Sequence, residues 1–247
     1  VSRALTGSSP SRPRVVKLAE TVARSVVDEI VARGRLPGEP LAPEAEMADH
    51  FGVSRATVRE ALRILETHGL VVLKPGRNGG PQVGEVDPVT FARSLTWFLQ
   101  MRQTRFWEVL EARVLLEPMM AALAARRRDA DGLRALAATL EDYPEDDHGY
   151  LEATQRFHGV IAGISGNAVL DLFGRSLKEV YTGRVVPVEQ PAARRELVLR
   201  EHREVAEAVM EGDPDLAEDR MREHMVELSL GFERRYRALG DEFVGWW

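Results

Sequence analysis

A chain of 247 residues, 44% hydrophobic and 29% charged, is long enough for two domains and a substantial core, and its composition is that of an ordinary soluble globular protein. It has no cysteine, which excludes disulfides, thiolate metal sites and a cysteine nucleophile; no apolar run reaches the length of a membrane span and the N-terminus lacks the apolar core of a signal peptide, so a cytoplasmic protein away from membranes is expected. The net charge of −6 is unevenly shared: residues 1–84 carry 12 Lys and Arg against 9 Asp and Glu and the remainder 21 against 30, which implies an acidic body behind a basic segment.

Residues 1–13, VSRALTGSSPSRP, have no periodicity and are expected to form a mobile tail. Leu18, Val22, Val26, Val27 and Ile30 then share one helical face that ends near Gly34, and residues 36–40 make a turn. Ala45, Met47, Ala48 and Phe51 form the stripe of a short helix stopped by Gly52, where the reversal needs a residue that tolerates positive φ. Ser54 offers an N-cap hydroxyl to the next helix, whose Val58, Ala61, Leu62 and Leu65 face inward while Arg55, Thr57, Arg59 and Arg63 lie on its other sides. This is the pattern of a helix-turn-helix, with Ser54, Arg55 and Thr57 at base edges in a major groove and Arg59 and Arg63 near phosphates. The alternative is an ordinary helical hairpin with a solvated basic face. The β-rich run Leu70 to Leu73, the turn from Lys74 through Arg77, Asn78 and Gly79 to Gly80, and a return at Gln82 and Val83 favour the first reading, because together they make a wing.

Residues 84–88 read as a linker, with Asp87 placed to cap a helix and Pro88 at its first position, so the domains are expected at 14–84 and 88–240. Beyond the linker every period is helical. Candidate helices at 88–101, 104–128 (kinked by Pro118), 129–142, 147–164, 168–185, 193–211 and 214–238 predict an all-α bundle of six or seven helices, and hence a mostly α protein with one small β-hairpin.

His50, His68 and His148 fall on polar faces or turns, where solvation is the expected role. His158 shares a stripe with Leu151, Ile161 and Ser165, His202 with Leu199, Ala206 and Val209, and His224 with Met221, Leu228 and Gly231, so each points into the bundle. A single buried histidine is ordinarily a core residue held by a hydrogen bond. Three on separate helices need three sets of partners, and one divalent metal such as zinc satisfies all of them.

The stretch GVSRATVREALRILETHGLVVLKPGRNGG, with the preceding GRLPGEPLAPEAEMAD, resembles the DNA-binding signature of the GntR family of bacterial transcription regulators. Position by position, the resemblance implies DNA contacts at Ser54, Arg55, Thr57, Arg59 and the wing tip Arg77 to Gly79; Arg63 and Lys74 add phosphate-facing charge. One departure is Ala45, where the family often has a DNA-contacting Arg. The helical part is similar to the FadR branch of that family, with its C-terminal FCD domain, through the stretches around Phe157-His158-Gly159 and Ser165-Gly166-Asn167 and from Glu201-His202-Arg203 to Arg222-Glu223-His224-Met225. That likeness implies a homodimer on double-stranded operator DNA, repression as the commoner mode, and a small-molecule effector, an organic acid, sensed in the bundle. It also implies a divalent metal on His158, His202 and His224. In the family a carboxylate one turn before the first histidine completes the set; here that residue is Thr154, which implies an open fourth position, closed by water or by an effector carboxylate. Arg113 matches an arginine that faces the effector pocket, its alternative being an ion pair to Glu117. Asn167 is either an N-cap or a pocket group. Three histidines with an open position also describe a catalytic zinc site, so a bundle metalloenzyme or metal-binding adaptor with an appended winged domain is the alternative. No HExxH, P-loop, GxSxG or dinucleotide fingerprint supports it, and no enzyme is expected.

Overall fold

A computed structural model describes residues 14–76, 79–85, 87–141, 143–144, 146–185 and 191–245. The expected tail, residues 1–13, and the wing-tip residues Arg77 and Asn78 lie outside the described residues. The chain divides into two compact units, Val1–Thr90 and Phe91–Trp247.

The first unit is built from α1 (Arg14–Ala32), α2 (Glu44–Phe51), α3 (Arg55–Thr67), β1 (Val71–Lys74) and β2 (Gly80–Val83). Gly52 ends α2 in the left-handed region at φ 63°, and its N–H donates to the carbonyls of Ala48 and Asp49. Ser54 starts α3, its Oγ accepting from the Thr57 N–H at 3.2 Å. The apolar faces meet in one cluster, in which Ala19, Val22 and Val26 of α1 pack with Met47 and Ala48 of α2 and with Val58, Leu62 and Leu65 of α3. Burying a side chain such as Leu62 completely contributes roughly 1.5–3 kcal/mol. β1 and β2 pair antiparallel, with Val71 opposite Val83 and Lys74 opposite Gly80.

The turn at 36–40 holds a feature that periodicity does not show. Gly38 N–H donates to Val83 O at 2.9 Å, Val83 N–H to Glu39 O at 2.9 Å and Leu41 N–H to Pro81 O at 2.8 Å, with a bridge between Pro40 and Gln82. The second edge of β2 is therefore covered by the segment that leads into α2. Where the wing closes, a Cβ on Gly84 would stand 2.0 Å from Gly69 O, a backbone atom unable to move aside cheaply. Gly84→Ala is expected to destabilise this unit by about 1–3 kcal/mol, read as an earlier unfolding transition in thermal denaturation. An unchanged transition would mean that the two backbone segments are not held together.

In the second unit, α4 (Pro88–Met101) enters from the linker and is followed by α5 (Phe106–Arg127), α6 (Ala130–Ala138), α7 (Asp147–Ile164), α8 (Ala168–Val185), α9 (Ala192–Glu211) and α10 (Pro214–Asp241). Asp129, Asp146 and Asp213 cap α6, α7 and α10, each carboxylate accepting an N–H from the first turn. α10 lies along α5 and α9, and α7 packs between α5 and α8. Their shared core holds Met120, Ala124, Phe157, Ile161, Val205, Val209, Met221 and Met225. Among the described residues, no helix is long and apolar enough to cross a membrane.

α5 runs through Pro118, as expected of one helix there. Two C-terminal bounds differ from expectation by three residues or more. α6 stops at Ala138 rather than 142, where the Thr139 hydroxyl donates to Leu136 O at 2.6 Å and competes with continuation of the helix. α10 runs to Asp241, past the expected 238, with a break in helical geometry at Tyr236 (φ −132°, ψ 35°).

Candidate functional site

The N-terminus of α3 carries the expected reader residues, and they divide into two kinds. Arg55 and Arg63 are exposed, Arg63 standing 4.0 Å from Glu60. Arg59 is exposed too, but its Nη2 is held by Glu44 of α2 at 2.9 Å. Thr57, expected at base edges, is buried: its hydroxyl is 2.9 Å from Ser54 Oγ, so it buttresses the cap that starts the helix. Lys74 ends β1, exposed. A Cβ on Gly79 would meet Lys74 O at 2.1 Å, so the wing turn needs glycine there. His50, expected to be merely solvated, bonds Glu29 at 2.8 Å and ties α2 to α1.

In the second unit the three inward histidines converge. His202 Nε2 and His224 Nε2 are 3.3 Å apart, His224 Nε2 and His158 Nε2 3.4 Å apart, and one ligand atom from each ring lies within 4.8 Å of the others. Three nitrogens each 2.0–2.1 Å from a tetrahedral zinc stand about 3.4 Å from one another. Each Nδ1, on the far side of its ring, faces an oxygen: Glu201 Oε2 at 2.8 Å for His224 and Tyr143 OH at 2.8 Å for His202 are hydrogen bonds, while His158 Nδ1 lies in close ion-pair contact with Glu117 Oε2 without regular hydrogen-bond geometry. The two carboxylates accept only if Nδ1 carries the proton, which leaves bare lone pairs on His158 Nε2 and His224 Nε2. His202 has one proton at most to offer them. A core held only by hydrogen bonds would leave at least one buried lone pair facing another, whereas a cation takes all three. His202 is further fixed by Phe157, stacked at 3.9 Å and 10°.

Burial pushes His158 down to about 4, with Arg113 and His224 acting in the same direction against Glu117, and burial together with the neighbouring histidines pushes His202 well below its ordinary value. Both rings are neutral near pH 7 and keep the lone pair a metal requires. Burial works to raise Glu117, but the Arg113 guanidinium and His158 together hold it well below the usual carboxylate range.

A cavity of about 430 Å³ adjoins this layer. Thr154 and Val198, each four residues before a triad histidine, and Leu228, four residues after one, are among its walls, so it lies one helical turn from the triad on α7, α9 and α10. Tyr150, Gln155, Tyr181, Arg194, Phe232 and Arg234 also line it, and among the described residues no carboxylate does. Thr154 spends its hydroxyl on Tyr150 O at 2.5 Å. Gln155, which helical phase directs elsewhere, is buried with its Oε1 unpartnered. Arg113 is also buried. Its Nε donates to Glu117 at 2.6 Å, its guanidinium lies 4.6 Å from the centre of the Tyr181 ring, and Nη1 and Nη2 have no partner. Asn167 is not in the cavity; its Oδ1 accepts from Val169 and Leu170 N–H and caps α8.

Glu117, Glu201 and Tyr143 are the residues that sequence reading passes over. Glu117 is visible there only as the i+4 partner of Arg113, and Tyr143 as part of a helix break. Residues 18–78 match the model of bacterial regulatory proteins of the gntR family, and residues 108–227 that of the FCD domain. The chain is 29% identical over 211 residues to the uncharacterized HTH-type transcriptional regulator YcbG of Bacillus subtilis, covering 83% of this chain and 88% of the relative. It is 24% identical over 229 residues to the Glc operon transcriptional activator of Escherichia coli, with 87% of each covered. A solved structure of Streptococcus agalactiae GntR superposes with a TM-score of 0.69 at 25% identity, covering 86% of this chain and 99% of that one. With a gntR reader ahead of an FCD domain, and relatives that are transcription regulators and not enzymes, the chain belongs to the GntR family of bacterial transcription regulators.

Proposed function

We propose that this regulator binds a two-fold operator as a homodimer and that an organic acid in the bundle cavity controls its hold on DNA, most simply as a repressor whose occupancy of the operator excludes transcription. The observation that carries the effector reading is the cavity itself. It bears Arg194 and Arg234, has no carboxylate among the described residues of its lining, and lies one turn from three converging imidazoles. His158, His202 and His224 fit a divalent metal such as zinc by donor type, spacing and outer hydrogen bonds, and would hold it; when bound it supplies positive charge next to the cavity. Arg113 and Thr154 belong to the same neighbourhood. On the DNA side Ser54 sets the start of the reading helix, Arg55 reaches bases, Arg63 and Lys74 meet phosphates, and Arg59 joins them once released from Glu44. Gly79, with Arg77 and Asn78, which lie outside the described residues, would add DNA contacts in this scheme.

The test is an operator selected from random duplex DNA, titrated with the protein while carboxylates of graded size are added with and without zinc. The expected result is a palindromic site whose affinity changes at least fivefold with one carboxylate class; no enriched site, or no carboxylate effect, overturns the respective half of the reading. Dimerisation is tested separately. Half-sites one DNA turn apart, about 34 Å, need two readers, and Phe98 and Met101 of α4 stand 72% and 84% exposed, as residues of an interface do in a lone protomer. Sedimentation is expected to return a dimer at micromolar concentration, and a strict monomer with and without DNA removes the two-fold scheme.

A further inference from the structure

The pairing of Arg113 with Glu117 is unlike an ordinary buried salt bridge. Arginine meets a carboxylate best through two parallel N–H bonds to its two oxygens. Here only Nε is engaged, at 2.6 Å to Glu117 Oε1, while Oε2 stands in close ion-pair contact with His158 Nδ1, off regular hydrogen-bond geometry, and the two terminal nitrogens of Arg113 have no hydrogen-bond partner. The carboxylate is oriented toward the ring rather than closed off by the guanidinium. Accepting the Nδ1 proton obliges His158 to present its lone pair at Nε2, toward His224. The triad contributes three neutral nitrogens, and Thr154, on the same face of α7 one turn before His158, contributes no charge. A dication in such an interior requires negative charge close by. Among the described residues two carboxylates touch the triad from outside, Glu117 and Glu201, and Glu117 is the more deeply buried, its side chain 7% exposed against 15%.

We propose that Glu117 is the positioning residue of this centre: through His158 Nδ1 it fixes the ring's tautomer and supplies, from one bond outside the triad, the negative charge that the three ligands lack. Arg113 Nε holds it at the angle that leaves one oxygen for the ring. The inference rests on the metal reading of the triad given above.

The experiment uses the full chain and Zn²⁺ alone as probe, with affinity measured by competition against a chromophoric chelator and the His158 tautomer read from imidazole ¹⁵N shifts. Glu117→Gln leaves Arg113 buried without its counter-charge, so Arg113→Met/Glu117→Gln, which removes both charges together, is measured beside it. Loss of the Glu117 charge is expected to weaken zinc binding 10–100-fold and, in the metal-free protein, to weaken the preference of His158 for the Nδ1–H form. In the Thr154→Asp background, where a carboxylate faces the site directly, the cost of Glu117→Gln should shrink to less than about threefold. A purely structural role predicts the same cost in both backgrounds and an unchanged tautomer. Zinc affinity of the Arg113→Met/Glu117→Gln variant within threefold of wild type overturns the assignment of Glu117 while leaving the metal site standing. A wild-type chain that takes up no zinc overturns the metal reading, and the role of Glu117 as its anion falls with it.

Discussion

If His158, His202 and His224 hold a metal, chelation is expected to lower the melting temperature of the wild-type helical unit and to leave that of His202→Ala where it was. A ligand that binds only the folded state stabilises it by mass action, about 4 kcal/mol when free metal is a thousandfold above its dissociation constant. For a unit of this size such a change corresponds to a shift on the order of 10 °C. His202→Ala removes one of three ligands together with the Phe157 stack and the bond to Tyr143, so it costs stability in two ways. Only the metal-dependent part bears on the site. The variant is therefore expected to melt lower than wild type even with chelator present, and to show no further drop when metal is withdrawn. Thr154→Asp separates the readings from the other side. With metal it adds an anionic ligand one turn before His158 and should raise affinity; without metal it buries an unpaired carboxylate and should melt below wild type. Equal melting of the wild type with and without chelator, joined to a Thr154→Asp variant that is merely destabilised, would leave the pocket a purely organic one. The measurements are metal content and melting temperature for the three proteins, each with and without chelator.

DNA affinity is expected to fall steeply with salt, and Arg55→Ala to weaken the selected operator by roughly 1–3 kcal/mol while blurring one base position. Each phosphate contact removed should flatten the log–log salt slope by about 0.9. The ion pair between Arg59 and Glu44 divides the arginines: Arg59→Ala should move the slope less than Arg63→Ala, since much of its charge is already met within the protein. Glu44→Ala should raise affinity for all sequences alike, by releasing Arg59 and removing a negative charge next to the phosphates. Anisotropy titrations at several salt concentrations measure all four. An Arg55→Ala protein with unaltered affinity and unaltered site preference would mean that the N-terminus of α3 does not read bases.

How far the sequence discloses these sites depends on the range of the interaction. Gly52 and Ser54 are legible because a left-handed stop and an N-cap are local events, and the inward direction of His158, His202 and His224 is legible because helical phase is local too. Thr57 is misjudged because its place on the helix says nothing of what packs over it. Glu44 with Arg59, and Glu201 with His224, are meetings across 15 and 23 residues that no single period encodes. Asn167 carries both roles in the sequence; only the position of the cavity shows which end of α8 it serves. The strand-like run Gly38 to Leu41 is hidden by its prolines and glycine, which read as a turn, although Pro40 faces β2 without needing an N–H there.

The triad draws one ring from each of α7, α9 and α10, and its members are separated along the chain by as many as 66 residues. Insertions or deletions in the connecting loops leave such a constellation intact, because each helix keeps its own rotation. A single residue inserted within a helix between its core-facing stripe and its histidine swings the ring by about 100° and carries it out of the bundle. Descent with modification should therefore preserve phase and let spacing drift, so a search for this centre in other chains succeeds by asking which histidines share a stripe with buried aliphatics, and fails by asking how many residues lie between them.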